Sequence, residues 1–240
     1  MNRIDAQFAR LKQEGRAALI PYITAGDPTL ARTRSLITAL ERAGADLIEL
    51  GIPFSDPLAD GKTNQEAAER ALRNGVTLRD VLALVQDVRT VSQIPIVFFT
   101  YLNPVFRYGF ERFARDAAAA GVDGVLTLDM PPEEAGALKQ ALDAAAVRTI
   151  FLVAPTSGDD RVRAISAQAS GFIYYVSRTG VTGERSDIPA ELGEKIAEIR
   201  RHTALPVAVG FGVSSPAHVQ GIAAHADGVV VGSAIVRRIG

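Results

Sequence analysis

Cysteine and tryptophan are absent from the 240 residues, histidine appears three times, and aromatic side chains make up only 6% of the chain. Without cysteine there is no disulfide framework, no thiol nucleophile and no thiolate metal site. Lysine is also scarce: Lys12, Lys62, Lys139 and Lys195 are all there are. None of them ends an apolar run, which argues against a Schiff-base lysine on a strand. Neither sign of charge dominates. The net charge is −1 with no basic block, so nucleic acid and anionic membranes are poor partners. No apolar run approaches the roughly 18 residues of a membrane span. The N-terminal MNRIDAQFARLKQEG is amphipathic and lacks a signal-peptide apolar centre. These absences, with an apolar content of 48%, fit a soluble, cytoplasmic chain with one sizeable core.

What is present is an alternation. Eight apolar, β-branched-rich runs are expected as strands at 18–23, 46–50, 94–99, 122–127, 148–153, 171–176, 205–209 and 227–231. Amphipathic helices are expected at 3–13, 29–43, 63–73, 78–91, 108–120, 132–145, 159–168, 190–201 and 216–223. Helix starts carry caps such as Thr77 with Asp80 three residues on, and ends carry Gly44, Gly75 and Gly121. No linker interrupts the pattern, so residues 1–240 read as one domain. Eight βα repeats predict a (β/α)8 TIM barrel with an extra N-terminal helix. An open doubly wound sheet is the alternative, weakened by the lack of GxGxxG after the first strand.

A barrel places chemistry at the C-terminal ends of its strands. The run DLIELGIPFSDPLADGKTNQ at 46–65 is the stretch to which the rest of the chain is fitted. If Ile48 and Leu50 face the helices, Glu49 points inward, where a carboxylate must be paired, neutralised or used. Burial there raises its pKa toward the range useful for proton transfer. The alternative is a structural glutamate satisfied by an arginine or backbone amides. Asp56 and Asp60 follow in a loop punctuated by proline and glycine. Asp60 reads either as a functional carboxylate or as a turn residue or helix cap. Glycine-rich loops after the last three strands hold Gly180–Gly183, Gly212, Gly232 and Ser233, and their free amides suit a phosphate. Tyr22, Phe99, Tyr101, Tyr174 and Phe211 suit a flat aromatic pocket. His202, His218 and His225 fall on helices or turns of the opposite rim, and Ser55, Ser177 and Ser233 have no histidine beside them, which excludes a hydrolytic triad. The remaining set, carboxylates with a phosphate clamp, suits cofactor-free acid–base chemistry on a phosphorylated substrate.

LIELGIPFSDPLADG, with PYITAGDP before it and GFIYYVSRTGVTG, PVAVGFGVSSP and GSAIV after it, resembles the tryptophan synthase alpha subunit family from about residue 2 onward. The resemblance implies cleavage of indole-3-glycerol phosphate to indole and glyceraldehyde 3-phosphate. It implies a pyridoxal-phosphate beta subunit as partner, in an alpha2-beta2 assembly, and no cofactor or metal in this chain. By motif, Glu49 and Asp60 match the catalytic pair. Tyr22, Leu126, Tyr174, Thr182 and Phe211 match the indole pocket, with Phe99, Tyr101 and Asp129 beside it. Gly183, Gly212, Gly232 and Ser233 match the phosphate site. Pro53, Asp56 and Asn103 match the loops that communicate with the beta subunit.

The chain departs from the family pattern at Lys62 and Asn64, where proline and an aliphatic are usual, and at Leu128. It also stops at Gly240, where the family continues into a final barrel helix. Exposed apolar surface on the outer faces of the first and last strands is therefore expected, with the N-terminal helix as partial cover. A stand-alone indole-releasing lyase, or a phosphate-binding barrel without turnover, would show the same motifs.

Overall fold

The structure, a computed structural model of the chain, describes residues 1–177, 191–210 and 212–240. Eight parallel strands close into a barrel in sequence order: β1 Ala18–Thr24, β2 Ile48–Gly51, β3 Ile96–Thr100, β4 Gly124–Thr127, β5 Arg148–Val153, β6 Ile173–Val176, β7 Val207–Gly210 and β8 Gly228–Val231. The helices α1 Arg3–Gln13, α2 Leu30–Arg42, α3 Lys62–Arg73, α4 Leu78–Val88, α5 Leu102–Tyr108, α6 Phe110–Ala120, α7 Gly136–Ala144, α8 Asp159–Gln168, α9 Glu191–His202, α10 Pro216–Ala223 and α11 Ser233–Val236 lie between them or at the ends. The expected helix 108–120 is found as α6, starting at Phe110, and α5 before it was not expected; Gly109 separates the two with φ +91°, a left-handed angle open to glycine. Pro131 and Pro132 turn the start of the expected helix 132–145 into a 3-10 turn over Pro132–Glu134.

Strand alternation sorts the apolar residues into two cores. Ile23, Ile48, Leu50, Ile96, Phe98, Val125, Ile173, Val207 and Val229 face outward, under the helices. Ile20, Tyr22, Leu47, Val97, Phe99, Leu126, Ile150, Tyr174, Ala208 and Val230 fill the barrel. Helix α1 does not cover the outer strands. Its Ile4, Phe8 and Leu11 join the inner core, with Phe8 against Phe172 at 5.6 Å between ring centres, so it plugs the barrel floor. The expected exposure of the first and last strands is not found either. Ile23 and Val229 are each 1% exposed, and α11 packs on β1 and α3.

The floor is braced by a repeating exchange. Asp46 accepts a hydrogen bond from Leu19 N at 2.9 Å, Asp123 from Ile96 N at 2.9 Å, Ser170 from Thr149 N at 2.8 Å and Asp227 from Val207 N at 2.8 Å. In each pair the backbone N–H of the accepting residue donates back to the carbonyl of its partner. Each such clasp joins the base of an odd-numbered strand to the residue leading into the next even-numbered one. Arginines neutralise the buried aspartates: Arg16 binds Asp46 through two nitrogens, and Arg3 and Arg89 bind Asp123.

Candidate active site

Glu49 stands on β2 between Tyr22 of β1 and Val97 of β3 in register. Its neighbours Ile48 and Leu50 lie in the outer core, so the carboxyl points into the barrel. It is 2% exposed. Among the described residues its Oε1 is buried with no hydrogen-bond partner. Among the described residues, no arginine or amide meets that oxygen as it would in a structural glutamate. Burial, and secondly the charge of Asp60, push the Glu49 pKa from 4.5 up to about 8. Such a group keeps its proton at neutral pH and releases it at modest cost.

Asp60 ends the loop that follows β2, and neutral side chains donate to its carboxylate. Tyr101 donates its hydroxyl to Oδ2 at 2.8 Å and accepts from Ala59 N at 2.9 Å. Asn64, in the first turn of α3, donates to Oδ1 at 3.5 Å. Gln65 Nε2 donates to the Asp60 carbonyl at 2.9 Å and to the Pro57 carbonyl at 3.4 Å. Burial raises the Asp60 pKa, while the bonds from Tyr101 and Asn64 oppose that rise. The Asp60 side chain is half-buried. Phe54 stacks near Tyr101 at 5.3 Å. Sequence reading missed Phe54 and Gln65, and noted Asn64 only as a departure.

Tyr22, Phe99, Leu126 and Tyr174 are all buried in the barrel core, with Tyr22 edge-on to Phe99 at 5.2 Å. Two glycines make room for the tyrosines. A Cβ on Gly51 would lie 2.3 Å from the Tyr22 hydroxyl, and one on Gly210 would lie 2.1 Å from that of Tyr174. Gly51→Ala is expected to displace the Tyr22 ring and cost roughly 1–3 kcal/mol through overpacking. Urea unfolding checks this, and Tyr22→Leu in the same chain should recover part of the loss because the two sites are coupled.

After β7, Gly212 has φ +74°. Gly232 caps α11, which starts at Ser233 without a side-chain cap. First-turn amides of a helix have no partner within it and suit an anion. Thr182, Gly183 and Phe211, with Gly180 and Val181, lie outside the described residues. Asp129 is exposed and accepts from Leu102 N at 2.7 Å, so it fixes the start of α5. A cleft of about 320 Å³ opens beside the mouth between Leu128, Asp129, Leu152 and Arg161, and its walls include neither Glu49 nor Asp60.

Known proteins match this arrangement along almost the whole chain. The family model for the tryptophan synthase alpha chain matches residues 8–240. The tryptophan synthase alpha chain of Geotalea daltonii is 56% identical over 238 residues, covering 99% of this chain and 90% of that one. This chain belongs to the tryptophan synthase alpha chain family. The crystal structure of tryptophan synthase subunit alpha from Legionella pneumophila superposes with a TM-score of 0.91 at 39% identity, over 99% of this chain and 88% of that one. The alpha-family fold also matches a chain of the tryptophan synthase complex from Pyrococcus furiosus, with a TM-score of 0.86 at 43% identity over 94% and 90% of the two chains. As a member of that family it is a carbon–carbon lyase acting on indole-3-glycerol phosphate in tryptophan biosynthesis.

Of the residues expected at the alpha chain's partner face, Asp56 and Asn103 are exposed while Pro53 is buried. Asp56 accepts from the Ser55 hydroxyl at 2.5 Å. Leu58 and Phe106 are 93% and 68% exposed, on the same loop as Asp56 and the same helix as Asn103. Both are apolar surface that the sequence reading did not select. His202 pairs with Asp159 at 2.7 Å and His218 with Ser214 at 3.4 Å, and neither binds Glu49 or Asp60. Among the described residues no group of three His, Cys, Asp or Glu is arranged to hold a metal. No helix there is long and apolar enough to cross a membrane.

Proposed function

We propose that Glu49 and Asp60 carry out the cleavage by proton transfer alone, without a cofactor in this chain. The observation that carries this reading is the buried Glu49 carboxyl, unpaired at Oε1 among the described residues and raised in pKa by burial and by the charge of Asp60. Protonated Glu49 delivers its proton to indole C3 while the Asp60 carboxylate accepts the ring N–H proton, giving the indolenine. The Glu49 carboxylate then takes the proton of the side-chain hydroxyl. The bond from C3 to the glycerol carbon breaks, its electron pair restores the indole, and Asp60 returns its proton to the ring nitrogen. The products are indole and glyceraldehyde 3-phosphate, and both carboxyls end as they began. Tyr22, Phe99, Leu126, Tyr174, Thr182 and Phe211 surround the indole, and Gly183, Gly212, Gly232 and Ser233 hold the phosphate.

The reading extends to a cytoplasmic alpha2-beta2 assembly in which the beta subunit, with its pyridoxal phosphate, takes up the indole. The exposed Leu58 and Phe106 beside Asp56 and Asn103 support a contact there, as does the complex of the Pyrococcus relative. The test is indole release from indole-3-glycerol phosphate, with and without a tryptophan synthase beta subunit. A rise of about tenfold or more on adding the partner is expected, equal to about 1.4 kcal/mol of barrier. Asp60→Asn should lower turnover by roughly 10²-fold or more in both settings. Equal rates without the partner would favour the stand-alone lyase, for which the polar anchors of the 51–61 loop argue. No indole under either condition would favour a binding barrel.

A further inference from the structure

Asn64 is a residue of the first turn of α3, four positions beyond Asp60, and nothing in the reaction as written uses it. Its side chain is arranged at a cost. Nδ2 reaches Oδ1 of Asp60, while Oδ1 of the amide is buried with no partner among the described residues. Turning the amide over would leave two oxygens facing each other, so the donor must face the carboxylate. A buried carbonyl without a partner disfavours the fold. A side chain kept only for stability would not be left in that state.

We propose that Asn64 is a positioning residue for Asp60, the second arm of a clamp whose first arm is Tyr101. The two arms hold opposite oxygens of one carboxylate, Oδ1 and Oδ2. Gln65, the next residue, holds the same residue's carbonyl. Together they fix where Asp60 sits and favour its ionised form, using neutral donors that leave it free to accept a further proton from the indole ring. This rests on the reading that Asp60 accepts that proton.

The charges and titratable groups around Asp60 come from five parts of the fold. Glu49 lies on β2, Tyr22 on β1 and Tyr174 on β6, and Asp60 acts on each of the three. Tyr101 lies after β3 and bonds it directly. Lys62 on α3 is directed to Glu66 at 3.8 Å. None of these is changed by a substitution at position 64.

Asn64→Leu removes the donor and the unpaired carbonyl with little change of volume. Turnover of indole-3-glycerol phosphate should fall roughly 3- to 30-fold with KM changed less than about twofold, the pattern of a lost transition-state contact. The acidic limb of the turnover–pH profile should move upward, because a donor to the ionised carboxylate is gone. The melting temperature should stay the same or rise by about 2–4 °C. Asn64→Gln, which keeps an amide donor, should restore part of the turnover. A purely structural residue would give the reverse: a lower melting temperature with an unmoved pH limb. An unchanged turnover and pH limb in Asn64→Leu would overturn the proposal. If Asp60→Asn is itself unimpaired, the reading of Asp60 fails instead, and the two failures are told apart by that one control.

Discussion

Turnover of Glu49→Gln is expected to fall by roughly 10²–10⁴-fold, about 3–5 kcal/mol of barrier, with substrate affinity little changed. The amide keeps the size of the side chain and removes both of its proton transfers. In the proposed mechanism affinity rests on the aromatic wall and the glycine loops, which the substitution does not touch. A double variant with Asp60→Asn should fall well short of the product of the two losses, since groups that act as a unit are not additive. Stability should move the other way. The folded chain holds the Glu49 proton up to about pH 8, against 4.5 ordinarily. Between these values the folded state binds more protons than the unfolded one, so wild-type stability declines as pH rises through that window. Glu49→Gln has no such decline. Its advantage over wild type should be small near pH 4.5 and grow to the order of a few kcal/mol above pH 8. Steady-state kinetics and urea unfolding at several pH values measure the two halves. Wild-type turnover in Glu49→Gln would make the interior carboxyl structural.

The second large effect belongs to the barrel floor. Asp123, 2% exposed, accepts from Ile96 N, from Arg89 at 2.8 Å and from Arg3 at 3.0 Å. Arg89 also donates to the carbonyls of Gly121 and Ile94. Burial still raises the Asp123 pKa, although the amide and both arginines oppose the rise. Asp123→Ala would leave Ile96 N without its acceptor and Arg89 without its counter-charge, so a loss of about 3–5 kcal/mol is expected. Asp123→Asn keeps one acceptor and should lose less. Denaturant unfolding at neutral pH, with its slope against denaturant unchanged, checks this. A loss below about 1 kcal/mol in Asp123→Ala would mean that the remaining backbone bonds carry the clasp alone.

The eight strands were legible because parallel strands covered on both faces read as short apolar runs, and the inward aim of Glu49 followed from alternation between Ile48 and Leu50. The partners of Asp60 were not legible. Tyr101 is 41 residues away, and its bond depends on how the ends of β2 and β3 meet. Asn64 stood out only as an unusual residue, because its role depends on which way one amide faces. Leu58 and Phe106 carry no periodic signal, since lone apolar residues in a loop or on a short helix look alike whether covered or bare. The floor plug was misplaced for a similar reason. Amphipathicity showed that α1 has an apolar face, but nothing local said whether strand backs or the barrel interior would receive it.

The clasps along the floor have a period of two strands, whereas the topology repeats every strand. The chain is therefore four βαβ modules, each fastened to itself by Asp46, Asp123, Ser170 or Asp227, rather than eight equal units. Shortening or duplicating such a barrel by one βα unit would put every later fastening out of phase, while a shift by two would leave each aspartate or serine facing a strand that needs it. The modules, not the strands, are the pieces this sequence can exchange.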